Sequence, residues 1–299
     1  MSRPPLARAW PLLLVLALIW GSSFILMKHG LFDHGRAVLT PAQMASTRLF
    51  IAWLVLLPWA VKHRALIPRH WKALGASGLF GNGIPAYLFG LAQSRVGSAL
   101  AGMINSLTPL FVLALGALFF RVRLRGVHVI GVGLGLAGAA GLILLGNRVD
   151  GAPPLFAGAA VMATICYGLS ANVVKHHLPG LPAEGISALA LSFVGLPALV
   201  LVLLTDVPGA LLNDPAAAKA VGFIALLAVL SSALALVLWN RLIQLTSALA
   251  ASMVTYLMPV VAIGWGLIDG EQVTWGHALA IAVVLLGVLL VNLADRRTA

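Results

Sequence analysis

Long apolar stretches, separated by short clusters of polar and charged residues, follow one another along almost the whole chain. Each has roughly the 20 apolar residues that an α-helix needs to cross about 30 Å of hydrocarbon. Apolar residues occupy all sides of these segments and do not alternate with polar ones, as they would in the strands of a membrane barrel. The pattern therefore predicts an all-α polytopic membrane protein. Ten spans are predicted, at about 11–30, 38–60, 72–93, 98–120, 126–146, 154–175, 183–204, 219–242, 248–268 and 275–294.

The composition agrees with this pattern. Of 299 residues, 61% are hydrophobic and only 9% are charged, which is too little charge to cover a soluble domain of this size. The net charge of +11 would suggest a nucleic-acid partner in a soluble protein, but here the basic residues lie in short loops between apolar runs. The single cysteine, Cys166, excludes an intramolecular disulfide. We expect the first apolar segment to be a retained helix, because no convincing small-residue cleavage site follows it.

The distribution of Lys and Arg between alternate loops predicts the orientation. With ten spans both termini share one side, and this side holds thirteen of the basic residues, whereas the other side holds five and Arg48 lies within a span. Because cytoplasmic loops are enriched in Lys and Arg, we predict a multi-pass protein of the bacterial inner (plasma) membrane with both termini in the cytoplasm. The thirteen are Arg3, Arg8, Lys62, Arg64, Arg69, Lys72, Arg121, Arg123, Arg125, Lys175, Arg241, Arg296 and Arg297.

The two halves of the chain resemble each other. Residues 20–29 and 167–176 share the pattern aromatic-Gly-x-Ser-x4-Lys-His, and residues 98–109 and 247–259 are similar apolar stretches that both close on a proline. The organisation predicted is one five-helix repeat at residues 1–149 and a second at 150–299, which together form one transport domain. Because five is odd, the second repeat crosses the membrane in the opposite direction. Such 5+5 inverted-topology repeats around a central cavity are typical of secondary transporters.

Several segments carry a family resemblance. They are residues 239–252, 256–260 and Gly270-Glu271 in the second half, and residues 20–24, Arg48 and the stretch 98–109 in the first. Together they resemble the drug/metabolite transporter superfamily of the EamA type. The resemblance implies ten helices, a 5+5 inverted repeat, a central cavity and efflux of small metabolites. One departure stands out. The sequence at 120–124 is Phe-Arg-Val-Arg-Leu where the family often has Gly-Glu-Arg-Leu, so any role of a glutamate in that half is absent here.

Helix-breaking residues inside the spans indicate where polar backbone groups become available. Pro109 and Pro259 each free the carbonyl four positions earlier, at Asn105 and Thr255. Such a carbonyl can bind substrate or water, or it can be satisfied by a neighbouring helix at a structural kink. In span 3, residues 81–85 (Gly-Asn-Gly-Ile-Pro) are the strongest helix-breaking run, which favours a site-lining role for Asn82 and a hinge at Pro85. Span 8 has only Ser231-Ser232 in the related region.

Arg48 is the one charge near the middle of a span, and it needs a partner there. A carbonyl, a polar side chain and the substrate's own carboxylate are the alternatives, so Arg48 is either a structural brace or a substrate-facing charge. All three tyrosines lie near the midplane, which suggests an aromatic-lined cavity. We predict substrate binding by Trp20, Ser23, Asn82, Tyr87, Asn105, Tyr167, Ser170, Thr255 and Tyr256, with hinges at Pro85, Pro109 and Pro259.

The expected function is export of amino acids, aromatic or hydrophobic ones favoured, or of related small metabolites by alternating access. Efflux of hydrophobic drugs is the alternative, and a membrane enzyme or structural subunit is disfavoured because the spans contain no catalytic constellation. The motif GxGxxG at 133–138 lies within an apolar span, where helix packing explains it better than nucleotide binding. We expect no catalytic residue, no metal and no cofactor. The expected partners are a small-molecule substrate and the lipid bilayer, without nucleic acid, and a monomer is the default.

Overall fold

The structure is a computed structural model that describes residues 10–122, 126–149 and 153–296, and these are almost entirely helical. The helices are α1 (Trp10–Leu31), α2 (Pro41–His63), α3 (Ile67–Gly78), α4 (Ile84–Gln93), α5 (Ser98–Asn105), α6 (Thr108–Phe120), α7 (Gly126–Val149), α8 (Pro154–His177), α9 (Ala183–Leu204), α10 (Val207–Asn213), α11 (Pro215–Leu227), α12 (Ala235–Leu245), α13 (Ala248–Ser252), α14 (Met258–Ile268) and α15 (Trp275–Arg296). The one departure from an all-α chain is a small antiparallel hairpin after α1, formed by β1 (Phe32–Asp33) and β2 (Arg36–Ala37).

The polytopic helical fold is confirmed, whereas the count of ten spans stays a prediction. Within the described residues, eight helical stretches are long and apolar enough to cross a membrane, and Trp275–Leu290 is a shorter apolar helix. The stretch Pro41–Gln93 has 53 residues and contains the second and third predicted spans. At 1.5 Å per residue it would be about 80 Å long if it were straight, far more than the hydrocarbon thickness. Instead, α4 packs back against α2.

The start of α2 shows how local sequence determines a helix end. Thr40 accepts a hydrogen bond on Oγ1 from the Gln43 amide at 3.2 Å, and the Thr40 amide donates to Gln43 Oε1 at 2.9 Å. This reciprocal pair is a capping box, followed by Pro41 in the first turn of the helix. The side chains of Thr40 and Gln43 therefore fix the residue at which α2 begins.

Two interruptions of the α-helical hydrogen bonding occur at related positions of the two halves. A π-helical segment at Leu79–Gly83 joins α3 to α4, and another at Ala228–Leu234 joins α11 to α12. The second begins 149 residues after the first (228 − 79). The second segment contains Ser231-Ser232 but no glycine or proline, so helix-breaking residues in the sequence mark only the first of the two interruptions.

The helices pack in matching pairs. Helix α8 contacts α3, α4 and α6, and α1 makes the corresponding contacts with α11, α12 and α14. Helix α2 packs along α9, and α7 packs along α15, so each of these pairs joins related helices of the two halves. The predicted boundary at 149/150 adjoins residues 150–152, which lie outside the described residues. The basic residues predicted to orient the chain at Arg3, Arg8, Arg123, Arg125 and Arg297 lie outside them too.

Close helix approach in this bundle depends on small residues. A Cβ atom added to Gly78 would overlap the carbonyl oxygen of Ala190 in α9 and lie 2.9 Å from its carbonyl carbon. Backbone atoms cannot rotate away as a flexible side chain can, so α3 and α9 would have to separate. Gly222 in α11 has no heavy atom within 4 Å of the same added Cβ.

We therefore expect Gly78→Ala to lower the stability of the purified protein by about 1–3 kcal/mol, because overpacking forces backbone shifts. Gly222→Ala is the matched control and should leave stability unchanged or raise it by up to about 1 kcal/mol, since alanine is the better helix former. Thermal unfolding of both variants in the same detergent measures the difference. An equal effect of the two substitutions would contradict the close contact between α3 and α9.

Candidate functional site

A cavity lies where the interrupted helices meet α1 and α8. About 810 Å³ of space lies between its lining atoms, including the solvent at its mouth. Seven of the nine predicted substrate-binding residues belong to its lining, and so does Arg48. The seven are Trp20, Ser23, Asn82, Asn105, Tyr167, Ser170 and Thr255.

Related residues of α1 and α8 face the two π-helical segments. From α1, the Trp20 indole donates to the Ser231 carbonyl at 3.0 Å, and the Ser23 hydroxyl donates to Ser231 Oγ at 2.8 Å. From α8, the Ser170 hydroxyl donates to the Ser77 carbonyl at 3.3 Å, immediately before the other π-helical segment. Hydroxyl and indole groups thereby satisfy backbone at the irregular turns, which membrane depth requires.

Aromatic rings make up much of the cavity wall. Trp20 and Trp239 meet edge-on with ring centroids 5.3 Å apart, and Phe89 and Tyr167 are stacked at 5.9 Å. Phe24 packs against Phe89 at 5.7 Å. Such surfaces accept flat apolar groups through dispersion and edge-to-face contacts.

Arg48 brings a positive charge to the cavity from α2. Its Nε donates to Ser232 Oγ at 2.6 Å, and its Nη1 lies 3.5 Å from the Met27 sulfur. Of the three partners predicted for it, the structure thus shows a polar side chain. Within residues 10–122, 126–149 and 153–296, none of the ion pairs includes Arg48.

Three amide side chains in the lining keep buried polar atoms without a hydrogen-bond partner among the described residues. These atoms are Asn82 Nδ2, Asn105 Oδ1 and Asn240 Oδ1. The orientation of Asn240 follows from its neighbour Ser187, whose hydroxyl donates to the Ala183 carbonyl and must therefore accept from Asn240 Nδ2, at 2.8 Å. Asn240 is thus left with a buried acceptor.

Two predicted site residues do not line the cavity. The Tyr256 hydroxyl donates to the Val288 carbonyl of α15 at 3.2 Å. Tyr256 follows Thr255 by one residue in the 3₁₀ turn Met253–Tyr256, so its side chain points about 120° away from that of Thr255 around the axis of the turn. Tyr87 precedes the cavity-facing Phe89 by two residues, which places it on the opposite side of α4.

Two of the predicted hinge prolines lie at breaks between helices. Pro109 and Pro259 lie in the first turns of α6 and α14, so each marks the start of a new helix after a break. The carbonyl of Asn105 accepts the Thr108 hydroxyl at 2.8 Å, so a side chain of the protein occupies one of its two lone pairs. Thr255 directs its own hydroxyl to the Ser252 carbonyl, also at 2.8 Å.

Sequence reasoning missed several lining residues, including Ser77, Ser231, Trp239 and Asn240. A signal existed for three of them. Trp239 and Asn240 open the stretch that carries the family resemblance, and Ser231 lies 149 residues after Asn82 (231 − 82), the offset of the two π-helical segments.

At the far end of α1 from residue 10, a cluster of ionic contacts ties three chain segments together. Lys28 Nζ lies 2.6 Å from Asp269 Oδ2 and 2.7 Å from Glu271 Oε1. Glu271 also accepts the Ser98 hydroxyl and the backbone amides of Ser98 and Ala99, all at 2.8 Å. The carboxylate therefore caps the N-terminus of α5, where the helix dipole favours negative charge. We call these contacts the Glu271 clamp.

Burial of Glu271 favours its neutral form, but the bonds from Lys28 and from the amides of Ala99 and Ser98 outweigh burial and hold its pKa below the ordinary value of 4.5. A carboxyl group with a lowered folded-state pKa stabilises the fold above its unfolded pKa, and this stability is lost as the pH falls through the folded pKa.

Known proteins resemble the chain along its whole length. The model of the EamA-like transporter family matches residues 8–144 and again residues 155–293. The chain is 29% identical over 295 residues to the uncharacterized inner membrane transporter YedA of Escherichia coli K12. The match covers 94% of this chain and 89% of the relative.

The chain is also 26% identical over 125 residues to an uncharacterized transporter of Archaeoglobus fulgidus. This shorter match covers 42% of this chain and 44% of the relative. One crystal structure of a protein that is 18% identical shares the fold, with a TM-score of 0.65 over 99% of both chains.

We expect Glu271→Gln to destabilise the protein at pH 7 by about 2–4 kcal/mol, because it leaves Lys28 with one carboxylate fewer and weakens the cap on α5. The wild-type protein should lose this advantage as the pH falls below 4.5, so that the two unfolding temperatures converge. Glu184→Gln is the control, since Glu184 forms no ion pair within the described residues. A difference between wild type and Glu271→Gln that stays constant as the pH is lowered from 7 to about 3, well below the ordinary pKa of 4.5, would refute the clamp.

Proposed function

The chain belongs to the EamA-like transporter family, and on that premise we propose that it exports amino acids, aromatic or hydrophobic ones foremost, or related small metabolites by alternating access. The observation that supports this proposal best is the cavity, whose lining comes from both halves of the chain and combines aromatic rings with amide, hydroxyl and guanidinium groups. An apolar pocket with a few convergent polar groups is what a small organic solute requires.

Alternating access is supported by the matching packing of the two halves. The contacts of α1 and of α8 with the interrupted helices correspond to each other. Two related halves packed around one cavity can exchange arrangements and so expose the cavity to either side. In the proposed orientation the protein lies in the inner membrane with both termini in the cytoplasm, as the Lys and Arg distribution predicts.

Efflux of hydrophobic drugs is the second candidate function, and the aromatic pairs of the cavity favour it. The two candidates differ in the charge they accept. The described lining contains Arg48 and no acidic residue, which disfavours strongly cationic compounds.

The test is uptake of radiolabelled amino acids into proteoliposomes that contain the purified protein. We expect flux of aromatic or large apolar amino acids above that of empty vesicles. Tyr167→Ala and Asn82→Ala should each reduce this flux about tenfold, equivalent to about 1.4 kcal/mol of lost binding energy. Tyr87→Ala, which changes a tyrosine outside the lining, should retain it.

Two further measurements test the direction of transport and its coupling to protons. An imposed pH gradient that accelerates flux would establish proton coupling, and equal rates with and without it would favour facilitated diffusion or exchange. Release from preloaded vesicles, compared with uptake, measures the preferred direction. If no amino acid in the panel moves while hydrophobic dyes do, the second candidate replaces the first.

A further inference from the structure

Arg48 is the cation of the cavity, and most of its hydrogen-bonding capacity is unused. A guanidinium group has five N–H donors. The structure engages Nε with Ser232 and places Nη1 at a long distance from a thioether, which is a weak acceptor. A buried cation without a countercharge is costly, so intramembrane arginines face a protein partner, water or a ligand.

The protein itself supplies no countercharge to this group in the part of the chain that the structure describes. The ion pairs there use Lys28, His29, His34, Arg36 and Lys219, all from other segments. The cavity lining adds hydroxyl, amide, indole and phenol groups, all of them neutral. The described lining itself therefore carries a charge of about +1.

One negative charge on a planar group complements this site. Carboxylates match the fork of a guanidinium group with two parallel hydrogen bonds. A phosphate dianion would bring nearly two negative charges to a lining with one cation, and so would leave an unbalanced negative charge in a low-dielectric site.

From these observations we infer that Arg48 recognises the carboxylate of the transported solute, and that the substrates are monocarboxylates with an aromatic or apolar body. This inference rests on the proposed function, because it assigns a recognition element to the same cavity. The aromatic pairs Trp20–Trp239 and Phe89–Tyr167 receive the apolar body. Asn240 Oδ1, the buried acceptor oriented by Ser187, is available to a substrate ammonium group.

Three indole compounds of similar size separate these contributions. L-Tryptophan has both charged groups, indole-3-propionate has the carboxylate alone, and tryptamine has the ammonium alone. We expect indole-3-propionate to compete with radiolabelled L-tryptophan for the purified wild-type protein at least tenfold better than tryptamine does. This measurement needs no variant, so it does not depend on whether an altered protein folds.

Variants then assign the effect to one residue. Arg48→Gln should weaken L-tryptophan binding at least tenfold and remove the preference for indole-3-propionate over tryptamine, whereas Arg48→Lys should retain part of the preference as a point charge. Arg36→Gln, which removes an arginine paired with Asp214 on the surface, is the matched control and should bind like wild type.

The outcomes separate the inference from the proposal on which it rests. If L-tryptophan binds and tryptamine competes as well as indole-3-propionate, carboxylate recognition is wrong although amino-acid transport stands. A folded Arg48→Gln variant that keeps the preference would equally overturn the role of Arg48. If no amino acid of the transport panel binds or moves, the proposed function itself fails, and the assignment of Arg48 fails with it.

Discussion

The constraint on which this structure depends is that backbone polar groups inside a bilayer must find partners within the protein. The helices around the cavity are interrupted, and each interruption frees or weakens backbone hydrogen bonds. The Ser231 carbonyl accepts the Trp20 indole, and the Asn105 carbonyl accepts the Thr108 hydroxyl. The irregular segments are therefore held against α1 and α8, and the polar side chains that satisfy them become part of the cavity wall. The side chains that satisfy the freed backbone groups thus also supply polar groups to the cavity lining.

Sequence reasoning predicted the helices well because span length and apolar composition are set by the bilayer. Seven of the nine substrate-binding residues that it predicted belong to the lining, since Trp20 and Tyr167 and the serines that follow them stand out as repeated polar or amphipathic residues in apolar helices. It could not predict the π-helical segment Ala228–Leu234, because this segment contains no glycine or proline and its contacts with α1 are tertiary. The orientation of the Tyr256 side chain could not be predicted either, because the helical phase after a break depends on tertiary packing.

The charges of the protein are segregated by environment. The described carboxylates in ion pairs lie outside the cavity lining, in the β1–β2 hairpin, at helix ends or in a loop. They are Asp33, Asp214, Asp269 and Glu271, which pair with cations of other segments. The cavity holds a cation and neutral groups. Paired charges at a helix end retain some contact with water and with a helix dipole, and these reduce the desolvation cost. Arg48 in the cavity has no carboxylate partner among the described residues, and the contacts that offset its burial there are the hydrogen bond to Ser232 and the weaker contact with the Met27 sulfur.

The two halves have similar backbone arrangements, but the contacts at the end of α1 differ from those at the end of α8. Lys28, at the end of α1, meets the carboxylates of Asp269 and Glu271, and through Glu271 it is linked to the start of α5. Its counterpart Lys175, at the end of α8, donates to the carbonyls of Ile243 and Thr246. The start of α13 is capped by Ser247, whose hydroxyl accepts from the Ala250 amide. An exchange of the two halves between conformations would have to separate the Glu271 clamp around Lys28 and the lysine–carbonyl contacts of Lys175. Both sets of contacts are charge-assisted, because each uses a lysine ammonium group. They differ in the acceptor: acidification would protonate the carboxylate of Glu271 and weaken the clamp, whereas the carbonyl acceptors of Ile243 and Thr246 do not titrate.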